Sequence, residues 1–178
     1  MSARNGPCAR AIRDYFGGIL DGSIVACEKM RKVSRRVLSD MDAPVDARWH
    51  FREEYAARHV EFIERFCRMP SGRLGARFHL QPFQRAILSV TFGFVDADGL
   101  RKYHEVFWEM GRKNGKTSLA SAVELDMLLD DDEGAPEVYN VATAHDQAAK
   151  GFVACHNMVR TSPDLARHVK KRMADLFC

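Results

Sequence analysis

The stretch Gly111-Arg112-Lys113-Asn114-Gly115-Lys116-Thr117 decides the fold class, because it joins two segments of opposite character. Before it, residues 102–110 crowd valine and aromatic side chains into a short window, which predicts a β-strand. After it, residues 117–129 have the composition of a helix. A glycine- and lysine-rich turn between a strand and a helix is the setting of a phosphate-binding loop.

In such a loop, successive backbone N–H groups and the helix N-terminus face a nucleoside triphosphate. Lys116 would reach the β and γ phosphates, and Thr117 would give a hydroxyl to Mg²⁺. The predicted ligand-binding residues are Gly111, Arg112, Lys113, Asn114, Gly115, Lys116, Thr117 and Ser118. The strict pattern has a glycine where Met110 stands, and Gly-Lys-Ser/Thr alone is common, so a lysine in a plain loop is the alternative.

A carboxylate that would complete the Mg²⁺ site is not evident in the sequence. Asp130 follows an apolar run, but it stands at the far end of the loop's own helix, ~18–20 Å along the axis. Asp146 follows a second predicted strand, residues 137–143, and is expected to cap the next helix rather than bind metal. Because phosphoryl transfer with Mg²⁺ needs such an acid, turnover by residues 1–178 is expected near background.

The order strand, helix, strand, helix from residue 101 onward predicts an α/β fold with a parallel sheet. Residues 1–70 are predicted to form a helical N-terminal segment, and residues 71–178 a partial phosphate-loop core. Pro70, Gly72 and Gly75 interrupt the pattern between the two, so residues 70–78 are the candidate linker.

Helix signals are spread along the whole chain. Ser23 is a candidate N-cap for a helix with an apolar face that ends at Met41, and an aromatic stripe predicts a second helix over residues 46–69. Pro82 opens a third helix that ends near Gly93, with Phe94 on its apolar face. A last helix is predicted to start at Ser162-Pro163.

Composition excludes several classes of protein. With 178 residues, 46% of them hydrophobic and 29% charged, the chain can bury a core and is not of the disordered type. No apolar run approaches a membrane span or a signal peptide, so no membrane association is expected and the chain is expected in the cytoplasm. Five scattered cysteines indicate reduced thiols.

The formal net charge of +3 is too small to identify a nucleic-acid binder, but the excess lies within residues 1–70. The helix expected after Ser23 carries much of it, on Lys29, Arg31, Lys32, Arg35 and Arg36. A solvated helix face and a contact with DNA phosphates or an acidic partner are both compatible with this pattern.

Several segments together resemble the large terminase subunit of tailed bacteriophages, the motor that pumps DNA into a preformed capsid. They are the loop at residues 111–117, Tyr15–Gly22, Leu80–Gln84 followed by Phe92–Phe94, Val138–Ala148 and Met158–Leu165. The order and spacing of these segments indicate the family more specifically than any one segment does. The resemblance implies that this chain corresponds to an N-terminal part of such a protein, without the strand that carries the Mg²⁺ acid and without the nuclease domain.

The resemblance also implies roles for particular residues. Arg112 would sense or stabilise the γ-phosphate, which makes Arg112 and Lys116 the candidate catalytic residues, and Gln84 would read the adenine edge of ATP. Gln81 is the second candidate for this role, and for both residues the alternative is an ordinary, solvated first-turn glutamine. The implied cofactors are ATP and Mg²⁺, with Thr117 as the metal ligand. The implied partners are double-stranded phage DNA, the portal protein of the procapsid, the small terminase subunit and further copies of the chain in a homo-oligomer.

Two other functions compete with a DNA-packaging ATPase. A hydrolysis-deficient fragment could bind DNA or capsid components as an adaptor, a function favoured by the missing acid. An unrelated phosphate-loop kinase would need a lid with several arginines, for which residues 167–172 are the only candidate.

Overall fold

The computed structural model describes residues 6–131, 134–171 and 176–177. The chain divides into two compact units, and each of them is discontinuous in sequence. The first unit comprises Met1–Val60 and Leu80–Phe107, and the second comprises Glu61–His79 and Trp108–Cys178. The division at residue 70 stays a prediction about domain organisation.

Helices make up most of the secondary structure, accompanied by two antiparallel pairs of short strands. The helices are α1 (Pro7–Asp21), α2 (Glu28–Met41), α3 (Glu53–Phe66), α4 (Pro82–Gly93), α5 (Lys116–Leu129), α6 (His145–Thr161) and α7 (Pro163–His168). Strand β1 (His50–Phe51) pairs with β2 (Phe94–Val95), and β3 (Lys170–Lys171) pairs with β4 (Leu176–Phe177). Each helix in the described ranges is too short or too polar to cross a membrane.

Helix α1 provides much of the core of the first unit. Pro7 occupies its first turn, and Gly22 ends it in the left-handed region at φ 89°. Its buried side packs against α2 and α4, with a core formed by Ala9, Ile12, Phe16, Ile19, Val37, Met41, Ala86 and Phe94. Burial of these apolar side chains stabilises the first unit.

A carboxylate from α3 caps the beginning of α1. Glu53 accepts hydrogen bonds from the backbone N–H of Cys8 at 2.7 Å and of Ala9 at 2.9 Å. The side chain lies so close to the chain that a Cβ on Gly6 would come within 2.1 Å of the Glu53 Cδ. Glu53 therefore satisfies two amides that a helix start leaves without an intrahelical partner.

We expect Glu53→Ala to lower the free energy of unfolding by about 1–3 kcal/mol, since two amides lose a charged acceptor. The matched control is Glu54→Ala, because this neighbouring side chain is exposed and lies 4.0 Å from its ion-pair partner Arg52. Urea denaturation followed by circular dichroism measures both changes. Equal destabilisation of the two variants would contradict the capping role.

The local helix predictions agree with the structure where strong start and stop signals exist. Helix α4 begins at Pro82 and ends at Gly93, and α5 covers the expected 117–129 with one more residue at its start. The helix expected after Ser23 begins later, at Glu28, and the one expected over 46–69 is shorter, at Glu53–Phe66. Phe94 does not continue α4 but enters β2.

The prediction of strands at residues 102–110 and 137–143 was wrong. Neither segment belongs to a named strand in the described part of the chain, where both ladders are antiparallel, and the expected parallel sheet is not shown. Several β-forming side chains are instead exposed, among them Phe107 at 92% and Val141 at 91%. Strand propensity depends on a neighbour that supplies ladder hydrogen bonds and covers one face, and sequence composition cannot supply that neighbour.

The predicted linker at residues 70–78 is a hydrogen-bonded turn within the second unit. Arg68 and Arg77 form an antiparallel bridge, and the Met69 N–H donates to the Ala76 carbonyl at 2.8 Å. The Asn157 side chain of α6 donates to the Pro70 carbonyl at 3.2 Å. Glycine and proline at this place therefore form a tight turn and not an open connection.

Candidate phosphate-binding site

The loop that precedes α5 presents its polar groups to solvent. All residues from Gly111 to Thr117 are exposed, and α5 begins at Lys116. Gly115 lies in the left-handed region at φ 77°, which is a conformation that glycine adopts without strain. No side chain of the described residues caps the start of α5, so the amides of its first turn, which point out of the helix N-terminus, have no capping acceptor.

The loop is curled by its own hydrogen bonds. The Asn114 side-chain amide donates to the carbonyls of Gly111, at 3.2 Å, and Arg112, at 3.4 Å. Lys113 has a φ of 66°, an unusual backbone conformation for a residue with a side chain. Asn114 thus supports the loop from within, a function that its position in the motif did not reveal.

Helix α5 is fixed by its buried side. Leu119 and Ala122 are fully buried, and Leu125 is nearly so. The Ser121 hydroxyl donates to the Gly151 carbonyl of α6 at 3.2 Å, and the Leu119 N–H donates to the Gly115 carbonyl at 2.9 Å. The loop therefore stands at the end of a helix that is held firmly in the second unit.

A polar network connects α5, α6 and the segment before α6. Glu124 accepts hydrogen bonds from the Asn140 amide at 3.0 Å and from the Cys155 thiol at 3.1 Å. Burial, with the nearby Glu124 carboxylate, raises the pKa of the Cys155 thiol far above its ordinary value, so it remains a neutral donor. No spacing in the sequence links residues 124, 140 and 155, and the network was not predicted.

A cleft of about 670 Å³ borders this network. Its lining is mostly apolar and includes Leu125, Leu128 and Phe152 beside the polar Glu124 and Tyr139. The Tyr139 hydroxyl donates to Glu137 at 2.8 Å, and this contact raises the pKa of Tyr139. The cleft lies along α5 and α6 and not at residues 111–118.

Gln84 stabilises the start of α4 in the first unit. It is buried near the start of α4, where its Oε1 accepts from the Gln81 N–H at 2.9 Å and the Gln81 side chain caps in return. This reciprocal arrangement is a capping box. The loop at residues 111–118 belongs to the second unit, and the adenine-reading role of Gln84 stays a prediction.

The two aspartates considered for Mg²⁺ lie at helix ends. Asp130 follows the last residue of α5, a helix of 14 residues that is therefore ~20 Å long, as expected from the sequence. Asp146 is not the predicted cap, because α6 starts one residue earlier and its N-cap is Ala144. The Asp146 side chain is 98% exposed and lies 3.8 Å from the His145 imidazole.

Comparisons with known proteins agree on one family. The family model for the ATPase domain of the terminase large subunit matches residues 82–176. The terminase large subunit of Enterobacteria phage HK97 is 32% identical over 114 residues, which cover 61% of this chain and 21% of that protein. The crystal structure of the HK97 bacteriophage large terminase matches with a TM-score of 0.54 at 28% identity, covering 68% of this chain and 24% of that chain. The chain thus spans about a fifth of the length of the curated relative that it matches.

Proposed function

The chain belongs to the family of terminase large subunit ATPase domains, and we propose that it provides the ATP-binding part of a phage DNA-packaging motor. The observation that carries this proposal is the exposed, self-supported loop at residues 111–117, set directly before a helix with one buried side. The loop contains backbone amides, the Lys116 ammonium and the Thr117 hydroxyl, which are the kinds of group that bind a triphosphate with Mg²⁺.

Each loop residue then has a distinct task. Lys116 would place its ammonium on the β and γ phosphates, and the Thr117 hydroxyl would be a ligand of Mg²⁺. The backbone N–H groups of residues 111–118, with Gly115 allowing close approach, would surround the phosphates. When bound, Mg²⁺ neutralises charge that develops on the transferred phosphoryl group.

Arg112 and Gln84 extend the proposal beyond the loop backbone. The Arg112 guanidinium is exposed within the loop, where it would stabilise the γ-phosphate as it leaves, so its effect would fall on turnover more than on binding. Gln84 would read the adenine edge with the donor that its capping hydrogen bond leaves available.

The wider functional setting follows from the family. We propose double-stranded phage DNA, the portal protein and the small terminase subunit as partners, with several copies of the chain acting together in the host cytoplasm. The order in sequence of a segment rich in β-forming residues before α5 and another before α6 supports a parallel-sheet phosphate-loop core as part of the same proposal.

Titration with a fluorescent ATP analogue in the presence of Mg²⁺ tests nucleotide binding. We expect saturable binding that unlabelled ATP displaces and AMP displaces at least tenfold more weakly, because Lys116 contacts the β and γ phosphates that AMP lacks. Equal displacement by AMP would contradict the proposed loop contacts, and absence of saturable binding would contradict the proposal as a whole.

A further inference from the structure

The exposed side of α2 concentrates positive charge. Lys29, Lys32, Arg35 and Arg36 are exposed and lie within seven residues of one another on a helix whose other side buries Ser34, Val37 and Met41. At 100° per residue, the four cations cluster directly opposite the buried side. We call these four residues the basic face of α2.

The basic face is only partly neutralised by nearby carboxylates. Arg35 lies 3.4 Å from Glu28, and both side chains are about 60% exposed, so the pair is weak. Arg36 lies 3.0 Å from Asp40, but Asp40 also accepts from Lys102 at 2.5 Å. Among the described residues, the ammonium groups of Lys29 and Lys32 have no ion-pair or hydrogen-bond partner.

The turn before α2 holds the basic face in one orientation. The Ile24 N–H donates to the Gly18 carbonyl at 2.7 Å, and the Ser23 hydroxyl donates to the same carbonyl at 3.2 Å. Further along, the Arg31 guanidinium donates to the Ile19 carbonyl at 3.2 Å, which ties α2 back to α1 and directs this cation away from the basic face. The four cations thus stand on a helix that is already fixed.

We propose that the basic face of α2 docks on the phosphate backbone of double-stranded DNA. This inference rests on the proposed role in DNA packaging and adds a contact surface that is separate from the nucleotide loop. Each strand of duplex DNA carries one phosphate per ~3.4 Å of axis, and residues 29 to 36 extend ~10 Å along their helix, so the four cations would meet about three phosphates of one strand. Contacts of this kind do not depend on base sequence.

Fluorescence anisotropy with a labelled mixed-sequence duplex, measured over a series of KCl concentrations, tests the proposal. We expect the double variant Lys29→Gln/Lys32→Gln to bind the duplex at least tenfold more weakly at low salt. The negative slope of log K against log salt should become less steep by about 1.8, because two phosphate contacts are lost. The matched control is Lys150→Gln/Lys170→Gln, which removes the same charge from exposed positions in the second unit and should leave binding unchanged. Lys29→Arg/Lys32→Arg should retain wild-type binding.

Several results would overturn the assignment. They are absence of DNA binding by the wild-type chain at the lowest salt, equal losses in the glutamine variant and its control, and tighter binding of polyglutamate than of the duplex, which would indicate an acidic protein partner. Binding of the ATP analogue by the same variants separates the two proposals. Weakened DNA binding with unchanged nucleotide binding supports the DNA-binding role of the basic face, whether or not the loop proves to be the nucleotide-binding site.

Discussion

Lys116→Ala is expected to weaken binding of a fluorescent ATP analogue by at least tenfold and to leave the fold unchanged. The side chain is exposed at the first position of α5 and fills no space in the core, whereas its ammonium would meet the most highly charged part of the ligand. A hydrogen bond to a charged group contributes about 1.5–3 kcal/mol, which corresponds to roughly a tenfold to 150-fold change in affinity.

The control for this variant is Lys150→Ala, another exposed lysine on a helix of the second unit. Among the described residues, its side chain donates one hydrogen bond, to Gln147 at 3.0 Å on the same helix, so its removal should change neither nucleotide affinity nor the circular dichroism spectrum. If Lys116→Ala bound the analogue as tightly as Lys150→Ala, the loop would not be the phosphate-binding site.

Phe94→Ala should lower the free energy of unfolding by about 3–5 kcal/mol, the largest effect on stability that we expect. The ring is fully buried in the core of the first unit. It contacts the rings of Phe51 and Tyr103 edge-on, with centroids 5.6 Å and 6.2 Å away. The Lys102 ammonium lies 5.3 Å from the ring centroid, so the substitution leaves a cavity and removes a cation–π contact.

The matched control is Phe107→Ala, the same substitution at a ring that is 92% exposed in the same unit. It should change the free energy of unfolding by less than about 0.5 kcal/mol, as surface substitutions usually do. Urea denaturation with a shared m-value compares the two variants. Comparable losses of stability would show that Phe107 is covered and that the core is not where the structure places it.

Sequence reasoning succeeded where the deciding interactions are local. Pro82 and Gly93 bound α4 because a proline suits a first helical turn, and α5 begins where the glycine-rich turn before it predicted a helix start. The phosphate-binding role of that turn stays a prediction. Helix α1 was not predicted from its residues, although Pro7 at its start and Gly22 after its end were available signals.

The remaining features depend on residues that are far apart in the chain. Glu53 accepts hydrogen bonds from amides 44 and 45 positions away, and Asn140 donates to Glu124, 16 positions away. Neither interaction produces a periodic pattern that could be recognised in the sequence. The strand predictions were wrong for the same reason, because a β-forming segment needs a neighbouring strand that its own composition does not specify.

The discontinuity of the two units imposes an order on folding during synthesis. Helix α1 emerges from the ribosome before its capping carboxylate at residue 53, and its partner α4 is complete only at Gly93. Residues 61–79 emerge between these two parts of the first unit. They belong to the second unit and cannot complete its packing until residues from 108 onward have been synthesised. Because chains leave the ribosome at about 5–20 residues per second, the part of α1 that packs against α4 remains uncovered for several seconds, an interval in which chaperones would engage the nascent chain.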